Sequence, residues 1–323
     1  MRVVALEEHF SHPALRDPEL TARLRANPRM RGAETALADI GEQRVADMDA
    51  AGIDVQVLSH TVPGAEAPEP GQAARAAAEV NDALAATIGA HPDRFAGFAT
   101  LPMQDPKQAT VELERAVRDL GLCGTMINGT TVGEFLDAPQ FLPVLECAQD
   151  LDVPVYLHPA LPPEPVAKAY YSGLEPEVGR MLAMAGWGWH AETALHTLRL
   201  IVSGVFDRLP RLQLIIGHMG EMIPFALDRI DRALTPVTPQ LRQPIPDYFQ
   251  TNIHITTSGY TAIAPLQCAL SVLGADRILF SVDYPYLSNQ AARTLLDTAP
   301  LSSADREKIA HGNADRVLRL ERR

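Results

Sequence analysis

Cysteine is scarce: Cys123, Cys147 and Cys268 are the only three in 323 residues, far apart and with no CxxC pair. That excludes a disulfide framework and a thiolate metal site, and it fits free thiols in a reducing cytosol. Positive charge is also short, with 28 Lys+Arg against 40 Asp+Glu and a formal net charge of −12. A nucleic-acid binder would show a basic face, so no nucleic-acid partner is expected. An anionic small substrate stays open, because one local arginine or metal outweighs a distant surface field. No stretch approaches the roughly 20 apolar residues of a membrane span. The apolar run after Arg2 is too short for a signal peptide and ends in acids. A cytoplasmic protein without a membrane partner is the expectation. No Gly-rich turn follows the first apolar run, which argues against a dinucleotide-binding doubly wound sheet.

Apolar residues, by contrast, make up 46% of the chain, ample for a core. The stretch that organises the rest is Val3-Val4-Ala5-Leu6-Glu7-Glu8-His9. Four apolar residues in a row read as a buried strand that runs straight into two acids and an imidazole. Alternation along a strand puts Glu7 and His9 on one face and Glu8 on the other. Further short apolar strands are expected at 55–58, 95–100, 124–127, 153–157, 212–217, 252–256 and 277–281. Helical segments separate them. One carries the start signal Asp105-Pro106-Lys107-Gln108 and is expected to turn Val111, Val117 and Leu120 inward. Eight strands alternating with helices give an α/β fold of the (β/α)₈ TIM-barrel type. No linker interrupts the alternation, so residues 1–323 read as one domain. Its two long excursions, at about 11–40 and 160–190, are candidate functional loops or subunit contacts.

On such a barrel the chemistry collects at the C-terminal ends of the strands. Those ends carry Glu7 and His9 on the first strand, His158 on the fifth, His218 on the sixth and Asp283 on the eighth. A single strand-end His-Pro is a common turn; several such residues on one rim point to a site. Oxygen and nitrogen ligands without thiolate suit one divalent ion, Zn or Mn, and the residue types do not choose between them. Glu221, three residues after His218, can orient that imidazole. His60, His91, His190, His196 and His311 read as surface or packed histidines. His254, inside the seventh strand, is a candidate supporting residue.

The segments Leu6-Glu7-Glu8-His9-Phe10, Leu157-His158-Pro159, Gly217-His218-Met219-Gly220-Glu221 and Ser281-Val282-Asp283-Tyr284-Pro285 resemble the amidohydrolase-related family of non-oxidative decarboxylases. The likeness is greatest to its γ-resorcylate and 2,3-dihydroxybenzoate branch, and it covers nearly the whole chain. It includes Leu101-Pro102-Met103-Gln104-Asp105-Pro106, Asn128-Gly129 and Ala275-Asp276-Arg277-Ile278-Leu279-Phe280-Ser281. The resemblance implies that Glu7, His9, His158 and Asp283 are metal ligands. It implies that Asp283, His218 and Glu221 are catalytic, and that Arg229, Tyr286 and Asn128 contact substrate. The chain departs from that branch at Ala160 and Leu287, both around the pocket.

The leading expectation is a carboxy-lyase acting on an aromatic acid with a hydroxyl ortho to the carboxylate. Asp283 would protonate the ring carbon. The alternative is a hydrolase of an ester, lactone or amide, in which the same groups would activate a water. A non-catalytic barrel that binds an acidic metabolite is a third reading, disfavoured by the intact ligand set. A homodimer or homotetramer is expected, with Ser11–Ile40 and the Trp187/Trp189 segment as interface candidates.

Overall fold

The structure is a computed structural model that describes residues 1–27, 30, 32–66 and 70–320. Parts of the 11–40 excursion lie outside the described residues.

Eight parallel strands appear in chain order: β1 (Val4–Phe10), β2 (Val55–His60), β3 (Phe95–Gly97), β4 (Thr125–Asn128), β5 (Val155–His158), β6 (Leu214–Ile216), β7 (Ile253–Thr256) and β8 (Ile278–Leu279). β1 to β3 pair in sequence, and so do β4 to β8. Single bridges join the two runs at both seams, Ala99 with Thr125 and Leu6 with Ser281. The Leu6 amide donates to the Phe280 carbonyl at 3.2 Å and the His9 amide to the Tyr284 carbonyl at 2.7 Å. The ring therefore closes in the order a (β/α)₈ barrel requires. β3, β6 and β8 are shorter than the sequence reading gave them, because their ends leave the ladder where the rim residues begin.

Alternation along the strands separates two cores. Val4, Leu6, Val57, Phe98, Met126, Tyr156, Ile215 and Leu279 fill the barrel interior. Val3, Ala5, Leu58, Val155, Leu157, Ile216, Ile253 and Ile255 face the surrounding helices. The floor is closed by the C-terminal tail, whose Ala314, Leu318 and Leu320 join the interior core. Asn313 Nδ2 pins that tail by donating to the carbonyls of Ala275 and Ile278, both at 2.8 Å.

The helix Pro106–Arg118 starts as its sequence predicts, with Asp105 accepting from the amides of Lys107 and Gln108. Such a cap is worth about 1 kcal/mol. Its buried apolar residues are Ala109, Leu113 and Ala116, and Val117 and Leu120 pack against the core as expected, but Val111 is 63% exposed. Val111 stands about 200° round the helix from both Ala109 and Leu113, on the outer side.

Both excursions are ordered into helices. Pro18–Ala26 and Ala33–Ala38 fold back, and Leu24, Ala33 and Leu37 form a small core with Tyr286 packed against it. This arm, expected as a functional loop or subunit contact, therefore packs on a partner in its own chain. The second excursion holds the helices Glu164–Tyr171 and Pro176–Ala183 and leads into Gly188–Val202.

Candidate active site

The site starts from an irregularity in β1. Pairing with β2 shifts register between Ala5 and Glu8, and Glu7 takes a left-handed φ of 60°. This bulge aims Glu7 and His9 at the barrel mouth and sends Glu8 the other way. Glu8 Oε1 accepts from the Val282 amide at 3.0 Å, and Oε2 accepts from Gln56 Nε2 at 3.3 Å. Burial pushes the Glu8 carboxyl well above its ordinary range. Behind it, the fully buried Arg44 donates to the carbonyls of His9 at 2.5 Å and Ala36 at 3.0 Å and lies over the Tyr284 ring. One guanidinium thus ties the end of β1 to the segment before the helix Glu42–Ala51.

Five of the predicted residues meet on the rim. His158 Nε2 lies 3.3 Å and His218 Nε2 3.4 Å from Glu7 Oε1. Asp283 places Oδ1 3.4 Å from His9 Nε2 and Oδ2 4.0 Å from His218 Nε2. Ligands held at about 2.0–2.2 Å from one ion in a tetrahedral shell sit roughly 3.3–3.5 Å from each other. The Glu7–His158 contact has that spacing, and His9 offers a ligand atom within 4.8 Å of both. Glu7 Oε1 and His9 Nε2 are also buried with no hydrogen-bond partner, a costly state that a cation at their centre would relieve. The donor set fits a divalent metal. Its supports are in place: Tyr156 donates its hydroxyl to Glu7 Oε2, and Ser59 Oγ lies 3.4 Å from His9 Nδ1.

His218 is held by a second irregularity. Residues 218–222 all have positive φ, from 49° at His218 to 78° at Gly220. Left-handed backbone costs roughly 1–2 kcal/mol at each non-glycine residue. Such strain concentrates where side-chain aim matters more than local comfort. Its result is a contact between His218 Nδ1 and Glu221 Oε1 at 2.8 Å, the pairing expected from the sequence. A carboxylate only accepts, so His218 carries its proton on Nδ1 and turns Nε2 to the mouth. Burial would lower the His218 pKa, but Glu7, Glu221 and Asp283 outweigh it and push it up to about 10. The same attraction holds Glu7 and Glu221 below the ordinary carboxylate range despite complete burial.

The sequence reading missed His190. Its Nδ1 lies 2.6 Å from Glu221 Oε2, and its ring centroid is 4.9 Å from that of His218. Nothing local marks it, since the contact joins residues 31 positions apart across two elements. Of the predicted substrate contacts, Tyr286 stands 5.6 Å from the His9 ring with its hydroxyl 2.7 Å from Thr61 Oγ1. Asn128, in register with His158, is buried with Oδ1 unpartnered. Arg229 is exposed on the helix Ile223–Leu234 and is not among the residues that meet at the mouth. His254 faces the barrel interior as expected, but its Nε2 is 3.2 Å from Arg277 Nη1 and it has no described contact with the cluster.

A glycine sets how closely Glu7 can be held. A Cβ on Gly217 would lie 2.7 Å from Glu7 Oε2 and 3.2 Å from the Tyr156 hydroxyl. Gly217→Ala should therefore displace the carboxylate, weakening metal binding and costing about 1–3 kcal/mol of stability. Metal titration with a parallel thermal melt checks this; wild-type affinity would refute it.

His196 is a packed histidine, as the sequence reading had it. It accepts from the Leu136 amide at 2.8 Å, and burial lowers its pKa to about 4. The folded state keeps it neutral, whereas the unfolded chain takes a proton below about pH 6.5. Its contribution to stability is thus complete above pH 6.5 and is lost as pH falls towards 4. By pH 5 the loss should be about 2 kcal/mol. Urea midpoints at pH 7 and pH 5 should show that difference shrinking in His196→Gln; an unchanged difference would contradict the assignment.

A family model described as amidohydrolase matches residues 9–320. A γ-resorcylate decarboxylase from Polaromonas sp. strain JS666 is 40% identical over 332 residues, covering 99% of each chain. Among solved structures, a 2,6-dihydroxybenzoate decarboxylase complexed with 2,6-dihydroxybenzoate superposes with a TM-score of 0.89 at 38% identity, covering 99% of this chain and 100% of that one. A dihydroxybenzoic acid decarboxylase from Polaromonas sp. JS666, with bound manganese and the inhibitor 2-nitroresorcinol, gives 0.90 at 38% identity over 100% of this chain and 98% of that one. The barrel, its rim and these likenesses agree: the chain belongs to the amidohydrolase family.

Proposed function

We propose that this protein is a metal-dependent, non-oxidative decarboxylase of an aromatic acid bearing a hydroxyl ortho to its carboxylate. The observation that carries the reading is a rim where the metal-competent set Glu7, His9 and His158 adjoins Asp283, which reaches towards both His9 and His218. Relatives across the full length of the chain have the same activity in their names, and two solved neighbours hold manganese with aromatic ligands.

Glu7, His9, His158 and one oxygen of Asp283 would hold the ion, manganese or zinc. When bound, it supplies positive charge that draws in the substrate's ortho-hydroxyl and carboxylate oxygens. Asp283 delivers a proton to the ring carbon that carries the carboxylate, forming the new carbon–hydrogen bond. The electrons of the carbon–carbon bond then return to the ring as carbon dioxide leaves. His218, fixed by Glu221, donates to or polarises the substrate oxygen through Nε2. Asn128 and Tyr286 line the substrate.

Buried polar atoms without partners support a ligand at this end. Asn128 Oδ1, Thr131 Oγ1, Trp189 Nε1 and Ser258 Oγ all stand unpaired beside or just beyond strand ends. Each would cost about 1–3 kcal/mol if left so. Hydroxyl and carboxylate oxygens on a flat ring would satisfy several at once. Trp189, 6.5 Å from the His158 ring, is placed to flank such a ring.

Among the described residues no helix is long and apolar enough to cross a membrane. The proposal is a cytoplasmic enzyme of one barrel domain that assembles as a homodimer or homotetramer. Exposed Tyr170, Val178, Met181 and Trp187 on the second excursion support assembly through that face. A monomer by light scattering would remove this part. Carbon dioxide release from 2,6-dihydroxybenzoate by the manganese-loaded protein tests the main reading. No release across a panel of ortho-hydroxybenzoates would overturn it.

A further inference from the structure

We propose that His190 is a positioning residue for this chemistry: its hydrogen bond fixes the Glu221 carboxylate, which in turn holds His218 with Nε2 facing the reacting atoms. Glu221 is fully buried and has two oxygens to satisfy. Oε1 is taken by His218 Nδ1 at 2.8 Å and Oε2 by His190 Nδ1 at 2.6 Å. Without His190, Oε2 would be a buried anionic oxygen lacking a donor, and the carboxylate would be free to turn away from His218. His190 is itself anchored, with Nε2 3.1 Å from the Ala185 carbonyl. The carboxylate only accepts, so the 2.6 Å contact places a proton on His190 Nδ1. The edge-on contact of the two histidine rings adds a steric stop to rotation of His218.

His190, His218 and Glu221 also lie close enough to be read as a metal cluster. The distances favour hydrogen bonds. Neighbouring ligands about 2.0–2.2 Å from one ion are roughly 3 Å or more apart, and the His190–Glu221 contact is 2.6 Å.

The kinetic arm of the test rests on the decarboxylase reading; the spectroscopic arm does not. In manganese-loaded enzyme, His190→Leu should lower kcat by about 10- to 100-fold with KM within about twofold and metal content unchanged. His190→Gln, which can still present an N–H to Glu221, should recover most of that loss. A role in packing alone would leave both variants alike. Wild-type kcat in His190→Leu, equal impairment in both variants, or a second metal per chain lost in His190→Leu would overturn the proposal. Nitrogen-15 spectra of histidine-labelled protein form the second arm. They should show His190 Nδ1 protonated and a single sharp set of His218 signals, which shifts or broadens in His190→Leu. An unprotonated His190 Nδ1, or an unchanged His218 signal in the variant, would overturn it whatever the wild-type activity proves to be.

Discussion

Asp283→Asn should abolish turnover while an ortho-hydroxy aromatic acid still binds. The amide keeps the size and one oxygen of the side chain, so the spacing to His9 and His218, 3.4 and 4.0 Å, is preserved. What it lacks is a proton it can release. Supplying that proton to carbon is the step without which carbon dioxide leaves behind an aryl carbanion. The expected loss in kcat is about 1,000-fold or more, some 4 kcal/mol on the barrier. Binding should be measured separately, by titrating a non-reactive nitro analogue. Retention of even a tenth of the activity would show that the proton comes from elsewhere. Asp283 suits the task by position. Its side chain is 19% exposed whereas Glu7 is fully buried, and its φ of 77° turns it off β8 towards the mouth.

The second large effect concerns the metal. His158→Ala removes one of the three converging ligand atoms, and affinity should fall by about three orders of magnitude, roughly 4 kcal/mol. The barrel should persist, because His158 Nδ1 has no described partner and the ring packs on the rim rather than in either core. Linkage gives a readout independent of activity. A ligand at about 100 times its dissociation constant stabilises the folded state by about 2.7 kcal/mol. Wild-type protein should therefore melt higher when manganese is added, and His158→Ala should not. An equal rise in both would move the metal off this cluster.

Much of this was legible in the chain because a barrel converts a one-dimensional pattern into a ring. Short apolar runs ending in Glu7, His9, His158, His218 and Asp283 can converge only if the strands close, and the seams at Leu6–Ser281 and Ala99–Thr125 close them. The His218–Glu221 pair was legible for a local reason, three residues within one turn. The left-handed backbone that makes it work was not, since ordinary residues such as Met219 and Met222 adopt it only under tertiary constraint. His190 escaped because its partner is distant in sequence, and a histidine at a helix start reads as solvated. The arm at 11–40 was underestimated because its apolar residues are few. Three of them suffice when Tyr286 lies beneath. Position on a helix said nothing of whether Arg229 reaches the mouth.

The most direct test of the central claim is where solvent hydrogen and oxygen go. In deuterated water, 2,6-dihydroxybenzoate should yield carbon dioxide and a product with one deuterium at the ring carbon the carboxylate has left. That follows if an exchangeable acid, Asp283, protonates that carbon. In heavy-oxygen water no label should enter an acid product through bond hydrolysis. Product lacking deuterium at the vacated carbon, or oxygen label in an acid formed without carbon dioxide, would contradict the account.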